Sequence, residues 1–323
     1  MIAIIIPCYQ VKEKILPLLT KIGHDIQRII VVDDACPEHT GDYVKKNCSD
    51  ARVEVIVHPK NMGVGGAMKS GYRIALAEGA TVVVKLDGDG QMDPALIPGL
   101  IEPLLSGEAD YSKGNRFYDL KYLKEMPLIR KIGNSFISFL NKQVSGYWDI
   151  MDPANGFTAI SGVALRNLPF DKIDNRFFFE NDMLFRLNTI RAVVVDFPMF
   201  SFYSDESSNL KISQVLLRFP LKYLSRFFKR IFYNYFLRDF NIGSLELVIG
   251  MTLLTFGIIF GIIKWSESII SSHPATAGTV LVAALPIILG FQSLIAFLHF
   301  DLTNIPRKPI SKALSKLYHQ NLK

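Results

Sequence analysis

Short apolar runs separated by polar turns fill the first ninety residues. Ile2–Ile6, Arg28–Val32, Arg52–Val57 and Thr81–Leu86 have the length and β-branched content of strands. Their nearly continuous apolar character suits a parallel sheet covered on both faces. Between them, Lys12–Ile22, Thr40–Lys46 and Gly66–Ala77 read as helices, so the order predicts a repeated βα unit and a Rossmann-like nucleotide-binding half. Ligands of such sheets sit beyond the carboxyl ends of the strands. The polar clusters Pro7–Gln10, Asp33–Ala35 and Asp87–Gln91 all fall at that edge.

The pattern changes after Asn209. Leu217, Leu221, Leu224, Phe228, Ile231 and Tyr235 recur at three- and four-residue spacing, beside Lys211, Arg218, Lys222, Arg226, Lys229, Arg230 and Arg238. An oily face beside a cationic one is the signature of a helix lying in a membrane interface, with Pro220 expected to break or start it. Two long apolar stretches follow, Leu245–Ile263 and Thr279–Phe300. At about 1.5 Å per residue they reach about 28–33 Å, near the thickness of a bilayer's hydrocarbon core, so both are expected to span. Glu246, Gln292 and His299 are their polar exceptions, placed near ends or a helix interface. The loop between them holds only Lys264 and Glu267 as charges, whereas the basic cluster before and Arg307, Lys308, Lys312, Lys316 and Lys323 after lie outside the pair. The positive-inside rule then puts both ends of the chain and the first half in the cytoplasm.

Composition sharpens this reading. A chain of 323 residues exceeds one typical domain, and a mean hydropathy of +0.23 is high for a wholly soluble protein. A net charge of +6 suits an anionic membrane surface or a phosphorylated substrate. Nucleic acid ranks lowest, because the basic residues gather beside the spans and not on an aromatic reading motif. Cys8, Cys36 and Cys48 form no metal-ligand spacing, and an odd count fits a reducing cytoplasm. Met1–Pro7 is too short for a signal sequence and reads as a buried first strand.

The central chemical signal is Asp87-Gly-Asp-Gly-Gln91, directly after the fourth apolar run. Carboxylates at i and i+2 with an amide oxygen at i+4 offer hard oxygen ligands to Mg²⁺ or Mn²⁺, which in turn holds a diphosphate. In isolation this pattern is more often a surface turn; its place at a strand end reverses that balance. Gly88 and Gly90 permit close backbone approach. In Val31-Val-Asp-Asp-Ala35, Asp34 could accept from a nucleobase edge or ribose, while Asp33 could equally cap the next helix. The glycines of His58-Pro-Lys-Asn-Met-Gly-Val-Gly-Gly66 could offer N–H groups to phosphate or simply allow strand-to-helix packing; the segment lacks the P-loop ending.

Ile6-Pro-Cys-Tyr9, Val32-Asp-Asp34, Asn61-Met-Gly63 and Asp87-Gly-Asp-Gly-Gln91, in this order and spacing, resemble the family 2 glycosyltransferases with a GT-A fold. The resemblance covers about residues 1–210. With two spans and a basic interfacial segment behind it, the chain looks most like the polyprenyl-phosphate glycosyltransferases, the group of dolichyl-phosphate mannose synthase. The resemblance implies an α/β fold: a Rossmann-like GT-A catalytic domain (residues 1–208), amphipathic juxtamembrane helices (209–242), a two-helix transmembrane hairpin (243–300) and a basic cytoplasmic tail (301–323). It also implies roles. Pro7, Tyr9, Asp34, Asn61, Asp87 and Gly88 would bind the donor; Asp87, Asp89 and Gln91 the metal. Arg116, in Lys113-Gly-Asn-Arg116, would meet the acceptor phosphate, and so would Arg130 with Lys131 and Asn134, in Pro127-Leu-Ile-Arg-Lys-Ile-Gly-Asn134. Asp152 and Asn155, in Asp152-Pro-Ala-Asn-Gly-Phe157, would position substrate. Glu180 or Asp182, in Phe178-Phe-Glu-Asn-Asp-Met-Leu184, would position sugar or acceptor, with general-base work as the weaker reading because a lipid phosphate is already largely ionised. The loop Tyr203–Lys211 would close over donor or acceptor.

The usual family start, Pro-x-Tyr-Asn-Glu, is altered: Gln10 and Val11 follow Tyr9. The acidic base contact is missing, which leaves UDP preferred and GDP open. The implied reaction transfers a single sugar, with inversion, from a nucleotide-sugar to polyprenyl phosphate, undecaprenyl phosphate being expected, at the inner (cytoplasmic) membrane, for surface-glycan or lipid A modification. Arg116, Arg130 and Asp89 would carry catalysis together with the acidic segment at Glu180 and Asp182. The subfamily and the polar residues in the spans point to a homo-oligomer. Two rivals differ in class. A polysaccharide-forming enzyme needs a Gln-x-x-Arg-Trp motif, which the sequence lacks; a non-catalytic nucleotide-binding membrane adaptor has no need of intact Asp87, Asp89 and Gln91.

Overall fold

The computed structural model of the chain describes residues 1–118, 128–199 and 212–314. Among these, seven strands form one sheet: β1 (Ile2–Cys8), β2 (Arg28–Asp33), β3 (Val53–Val57), β4 (Val82–Lys85), β5 (Tyr111–Asn115), β6 (Thr158–Ser161) and β7 (Val194–Pro198), in the order β3-β2-β1-β4-β6-β5-β7. β1 runs parallel to β2 and β4, and β2 parallel to β3, as the βα repeat requires. β6 is antiparallel to both β4 and β5, and β5 is parallel to β7. The second half of the sheet is therefore mixed, which the apolar runs alone did not reveal.

The strands hold because alternate residues bury on opposite faces. Ile4, Ile6, Ile29, Val31, Val82 and Val84 join one core with Ile15, Leu18 and Leu19 of α1 (Lys12–Thr20) and with Leu100, Ile101 and Leu104 of α4 (Ile97–Leu105). On the other face Ile5 packs so closely on Gly71 of α3 (Val64–Ala77) that a Cβ there would come within 2.5 Å of its Cγ2. Between α1 and α3 lies α2 (Thr40–Asn47). Three further helices complete this part: α5 (Leu128–Ser145), α6 (Gly162–Asn167) and α7 (Phe179–Thr189).

The contacts divide the chain into two compact units, Met1–Phe227 with the stretch from Pro306 on, and Phe228–Ile305. The N–H groups of Ile310 and Ser311 both donate to the buried carboxylate of Asp110 at 2.9 Å. The amphipathic stretch is α8 (Ile212–Phe232), and Pro220 lies inside it instead of breaking or starting it. Packing outweighs the one lost N–H bond: Phe219 and Tyr223 flank the proline, and their rings meet Phe178 edge-on at 5.3 and 5.0 Å.

The second unit holds a π-helical turn (Tyr233–Leu237) and two helices, α9 (Ile242–Ser271) and α10 (Ala277–Thr303), each long and apolar enough to cross a membrane. Only 11% and 6% of their most apolar windows are buried, unlike the core helices of a soluble protein. Both outrun the expected spans, and polar caps set their starts: Asn241 and Ser244 form a capping box on α9, and Thr276 caps α10. Arg230 grips Asp301 through two bonds of 2.6 and 2.9 Å, and Tyr235 donates to the same carboxylate at 2.6 Å.

Small residues let α9 and α10 touch. A Cβ on Gly257 would stand 2.8 Å from the Ala283 carbonyl and 2.7 Å from Ile287 Cγ1. Gly257→Leu is expected to force the helices apart at a cost of about 1–3 kcal/mol, read as a lower melting temperature in detergent. An unchanged melting temperature would mean that this contact does not hold the hairpin.

Candidate functional site

Because β6 is antiparallel to both of its neighbours, the carboxyl ends of β4 and β5 and the entry to β6 share one edge. Lys85 and Lys113 both face Thr158 in the ladder, and Lys113 also pairs with Asp196 of β7. The three segments read separately in the sequence, at Asp87, Arg116 and Asp152, meet here.

At the end of β4, Lys85 is 2% exposed, and its ammonium reaches Asp87 Oδ1 at 2.6 Å, Glu180 Oε1 at 3.2 Å and the Gly156 carbonyl at 3.3 Å. Burial works against its charge, but the two carboxylates outweigh it and raise its pKa. Asp89 Oδ1 accepts the Gln91 N–H at 3.0 Å, and Gly90 supplies the positive φ of 73° that turns the chain between them. The Asp89 carboxyl is held above its ordinary pKa, chiefly by burial, with the charge of Asp87 adding to it. Gly88 is buried, and a Cβ there would press on Val11 at 3.1 Å and Cys8 Sγ at 3.3 Å. Among the described residues no group of three or more His, Cys, Asp or Glu side chains gathers as a metal cage. Two hard carboxylates, of which Asp87 adds to the cost of charge on Asp89, with the Gln91 amide exposed beside them, fit a divalent cation that completes its shell with phosphate and water oxygens.

On the donor side, Pro7 is half-buried near the end of β1, and Tyr9 is exposed just beyond it. Asp33 caps: its carboxylate accepts the Cys36 N–H at 2.7 Å and the Gly41 N–H, in the first turn of α2, at 2.6 Å. Asp34 is buried, and its carboxylate takes His58 Nδ1 (2.8 Å) and the N–H groups of Met62 (2.8 Å) and Gly63 (2.7 Å). Asn61 donates to the Asp34 carbonyl at 3.2 Å and is exposed. His58 Nε2 continues the chain to Ser70 Oγ at 2.9 Å. The glycine segment packs closely on the Asp174–Asn175 backbone. The N–H groups of Met62, Gly63 and Gly66 have protein acceptors, and a Cβ on Gly63 or Gly65 would strike the carbonyls of Asn175 or Asp174.

On the acceptor side, Arg116 follows β5 directly. Its Nε and Nη2 grip the Asp152 carboxylate at 2.7 and 3.0 Å, and its side chain keeps 33% exposure. Asp152 and Asn155, expected at the substrate, are both buried. Asp152 faces Arg116, while Asn155 accepts from the Phe157 N–H at 2.9 Å and its backbone carbonyl takes the Lys113 ammonium. Burial drives the Lys113 pKa down to about 8 against the pull of Asp152 and Glu180, and drives the Asp196 carboxyl up to about 6. Lys131 and Asn134 are half-buried on α5. The side chain of Arg130, and the loop Tyr203–Lys211 with the expected domain boundary at 208, lie outside the described residues. Leu128, Ile132, Phe136 and Phe139 form an exposed apolar stripe on α5.

α7 splits the two acids. Glu180 joins the site through Lys85. Asp182 is fully buried, bonded to Arg226 Nε and Nη2 at 2.7 and 3.2 Å and to the Asp174 N–H at 2.8 Å. Lys222, one turn before Arg226 on α8, pairs with Asp174. The sequence reading assigned no role to Lys85, Lys113 or His58, and read Lys222 and Arg226 only as a cationic face. The available signal was a lysine within the apolar run Thr81–Leu86 and an i, i+4 basic pair on α8.

A mixed sheet with an acidic pair at the carboxyl end of β4 and an arginine fixed at the end of β5, in a chain that also holds two helices long and apolar enough to cross a membrane, is the layout of a GT-A glycosyltransferase. The model of the Glycosyl transferase family 2 matches residues 3–168, and the chain belongs to this family. It is 29% identical over 237 residues to a UDP-N-acetylglucosamine–dolichyl-phosphate N-acetylglucosaminyltransferase of Methanococcus voltae, covering 69% of this chain and 94% of that protein. It is 29% identical to an undecaprenyl-phosphate mannosyltransferase of Micrococcus luteus (65% and 86% covered) and 31% identical to a dolichol-phosphate mannosyltransferase of Pyrococcus furiosus (52% and 50%). Among solved structures, glucosyl-3-phosphoglycerate synthase of Mycobacterium tuberculosis with Mn²⁺ and UDP shares the fold at 18% identity, with a TM-score of 0.50 over 71% of this chain and 79% of that one.

Proposed function

We propose that the chain transfers one sugar, with inversion, from a nucleotide-sugar to a polyprenyl phosphate held in the membrane. The observation that carries this is the contiguity of the carboxyl edge. Asp87 is held by Lys85, Lys85 touches the Gly156 carbonyl, and the same short segment holds Arg116 through Asp152. The residues read as the diphosphate-metal site and those read as the anion site are thereby fixed to one piece of backbone. The relatives named for dolichyl- and undecaprenyl-phosphate transfer, the exposed stripe on α5 and the two apolar helices favour a lipid phosphate as the anion.

Asp87 and Asp89, with Gln91, would hold the Mg²⁺ or Mn²⁺, which when bound offsets the charge developing on the leaving nucleoside diphosphate. Tyr9 and the Asp34–Asn61 corner take the nucleoside, with UDP preferred. Arg116, kept in orientation by Asp152, and Arg130 hold the acceptor phosphate, since a planar guanidinium matches its oxygens. One phosphate oxygen forms the new bond at the anomeric carbon as the diphosphate oxygen departs. Glu180 positions the sugar. Asp182 acts at one remove, because its carboxylate is engaged by Arg226. Positioning and charge stabilisation supply most of the rate. The first unit and both ends lie in the cytoplasm, α9 and α10 cross the inner membrane, and the chain assembles with copies of itself.

Inversion is the direct check. An α-linked UDP-sugar should give a β-linked polyprenyl phosphate product, read from the anomeric coupling in its proton NMR spectrum. An α-linked product would contradict the single displacement.

A further inference from the structure

We propose that Lys85 is a positioning residue for the transfer reaction: its buried ammonium fixes the metal-binding carboxylate of Asp87 and ties it to Glu180, so that the diphosphate end and the sugar end of the site are set by one side chain. This rests on the reading of Asp87 as a metal ligand.

Three observations support it. A lysine at the end of a strand whose other residues are all apolar, Val82-Val-Val-Lys85, is 2% exposed and has three oxygen partners, one for each of its ammonium protons. The partners come from three separate segments, at Asp87, Gly156 and Glu180, so the ammonium joins elements that the backbone does not. Its bond to Asp87 goes to Oδ1, and Asp87 Oδ2 lies instead against Gly156. Lys85 thus bonds one oxygen of Asp87 and not the other, and holds the Glu180 carboxylate on the same ammonium.

Gly156 gives independent support. A Cβ built on it would collide with both Lys85 Nζ and Asp87 Oδ2. The backbone at residue 156 approaches the ion pair as closely as a glycine permits. The glycine of Asp152-Pro-Ala-Asn-Gly156 therefore serves the same pair that Lys85 forms. A buried lysine kept only for stability would not require its partner carboxylate to sit at a site edge, 30% exposed by side chain, or a second segment to be emptied of side chain beside it.

The two residues can be perturbed in opposite senses. Lys85→Met removes the charge and keeps the bulk. Asp87 and Glu180 then face each other without a counter-ion, so Mn²⁺ alone should bind several-fold more tightly while turnover falls by about 30-fold or more. Gly156→Ala keeps every charge but displaces Asp87, so Mn²⁺ should bind more weakly while turnover also falls. Mn²⁺ affinity is read by electron paramagnetic resonance on the detergent-solubilised full chain, and turnover by transfer from nucleotide-sugar to polyprenyl phosphate. Opposite shifts in Mn²⁺ affinity with a shared loss of turnover would establish the role. Unchanged Mn²⁺ affinity in both variants, or turnover losses that only follow loss of folded protein, would overturn it. If Lys85→Met does not fold, Gly156→Ala alone decides, by whether Mn²⁺ binding weakens. Because Mn²⁺ binding needs no acceptor, a wild-type chain that binds Mn²⁺ but transfers nothing would refute the proposed reaction and leave the Lys85 test standing.

Discussion

Asp89→Asn should lower sugar transfer on the order of 10²–10³-fold, with the folded state intact. The substitution keeps the shape of the side chain and an oxygen able to accept the Gln91 N–H bond that Asp89 now makes at 3.0 Å. Only the charge is lost. Burial and the neighbouring Asp87 already work against that charge, so the free protein should tolerate asparagine well and its melting temperature should hold or rise. Turnover should suffer because the carboxylate helps hold the cation that offsets charge on the departing diphosphate, and electrostatic elements of this kind carry the largest share of a transfer barrier. Transfer assays across an Mn²⁺ titration check it. A loss below about tenfold at saturating Mn²⁺ would remove Asp89 from the reaction.

The second large effect is structural and concerns α8. Arg226→Ala should destabilise the first unit by about 3–5 kcal/mol, the typical cost of stranding a buried charge. Asp182 is fully buried, and Arg226 supplies two of the three hydrogen bonds that its carboxylate makes among the described residues. The guanidinium also lies over the Phe185 ring at 5.7 Å, a contact that alanine forfeits. Thermal unfolding in detergent should show a drop on the order of 10 °C. The pair Arg226→Met with Asp182→Asn, which removes both charges, should recover much of it. If the double variant is as unstable as Arg226→Ala, the lost stability comes from packing and not from the stranded carboxylate.

The sequence was most legible where burial is uniform. β1, β2 and β4 are almost wholly buried, and their apolar runs announce them, while β3, at the edge of the sheet, is only half-buried and is announced by its β-branched residues; the ends of β1 and β2 extend past the apolar residues to Cys8 and Asp33 because the ladder continues there. β5 was illegible for the opposite reason. Its Tyr111-Ser-Lys-Gly-Asn115 sequence is polar yet wholly buried, with Lys113 satisfied by a carbonyl and Asn115 by Asp196 at 2.7 Å. No local pattern distinguishes such a strand from a loop.

The same contrast runs through the site. Asp87 and Asp89 could be picked out because they follow a strong strand. The link between Arg116 and Asp152 joins residues 36 apart in sequence, and that between Asp182 and Arg226 joins residues 44 apart, and no spacing rule predicts either. Asp182 was read from its motif as an acid near the chemistry, and nothing around it in sequence signals that a helix far downstream engages it. Lys85 is the subtlest case. A charge in a buried strand costs free energy unless it is paired, and its carboxylate partners sit two and 95 positions away.

The central claim is sugar transfer to a lipid phosphate, and label transfer tests it most directly. Radiolabelled UDP- and GDP-sugars would each be incubated with short-chain polyprenyl phosphate, detergent-solubilised protein and Mg²⁺ or Mn²⁺, followed by organic extraction. Label should enter the organic phase from one donor class, and only when metal and polyprenyl phosphate are both present. Label that stays in water with every donor, while the protein binds nucleotide and metal normally, would contradict the proposed reaction.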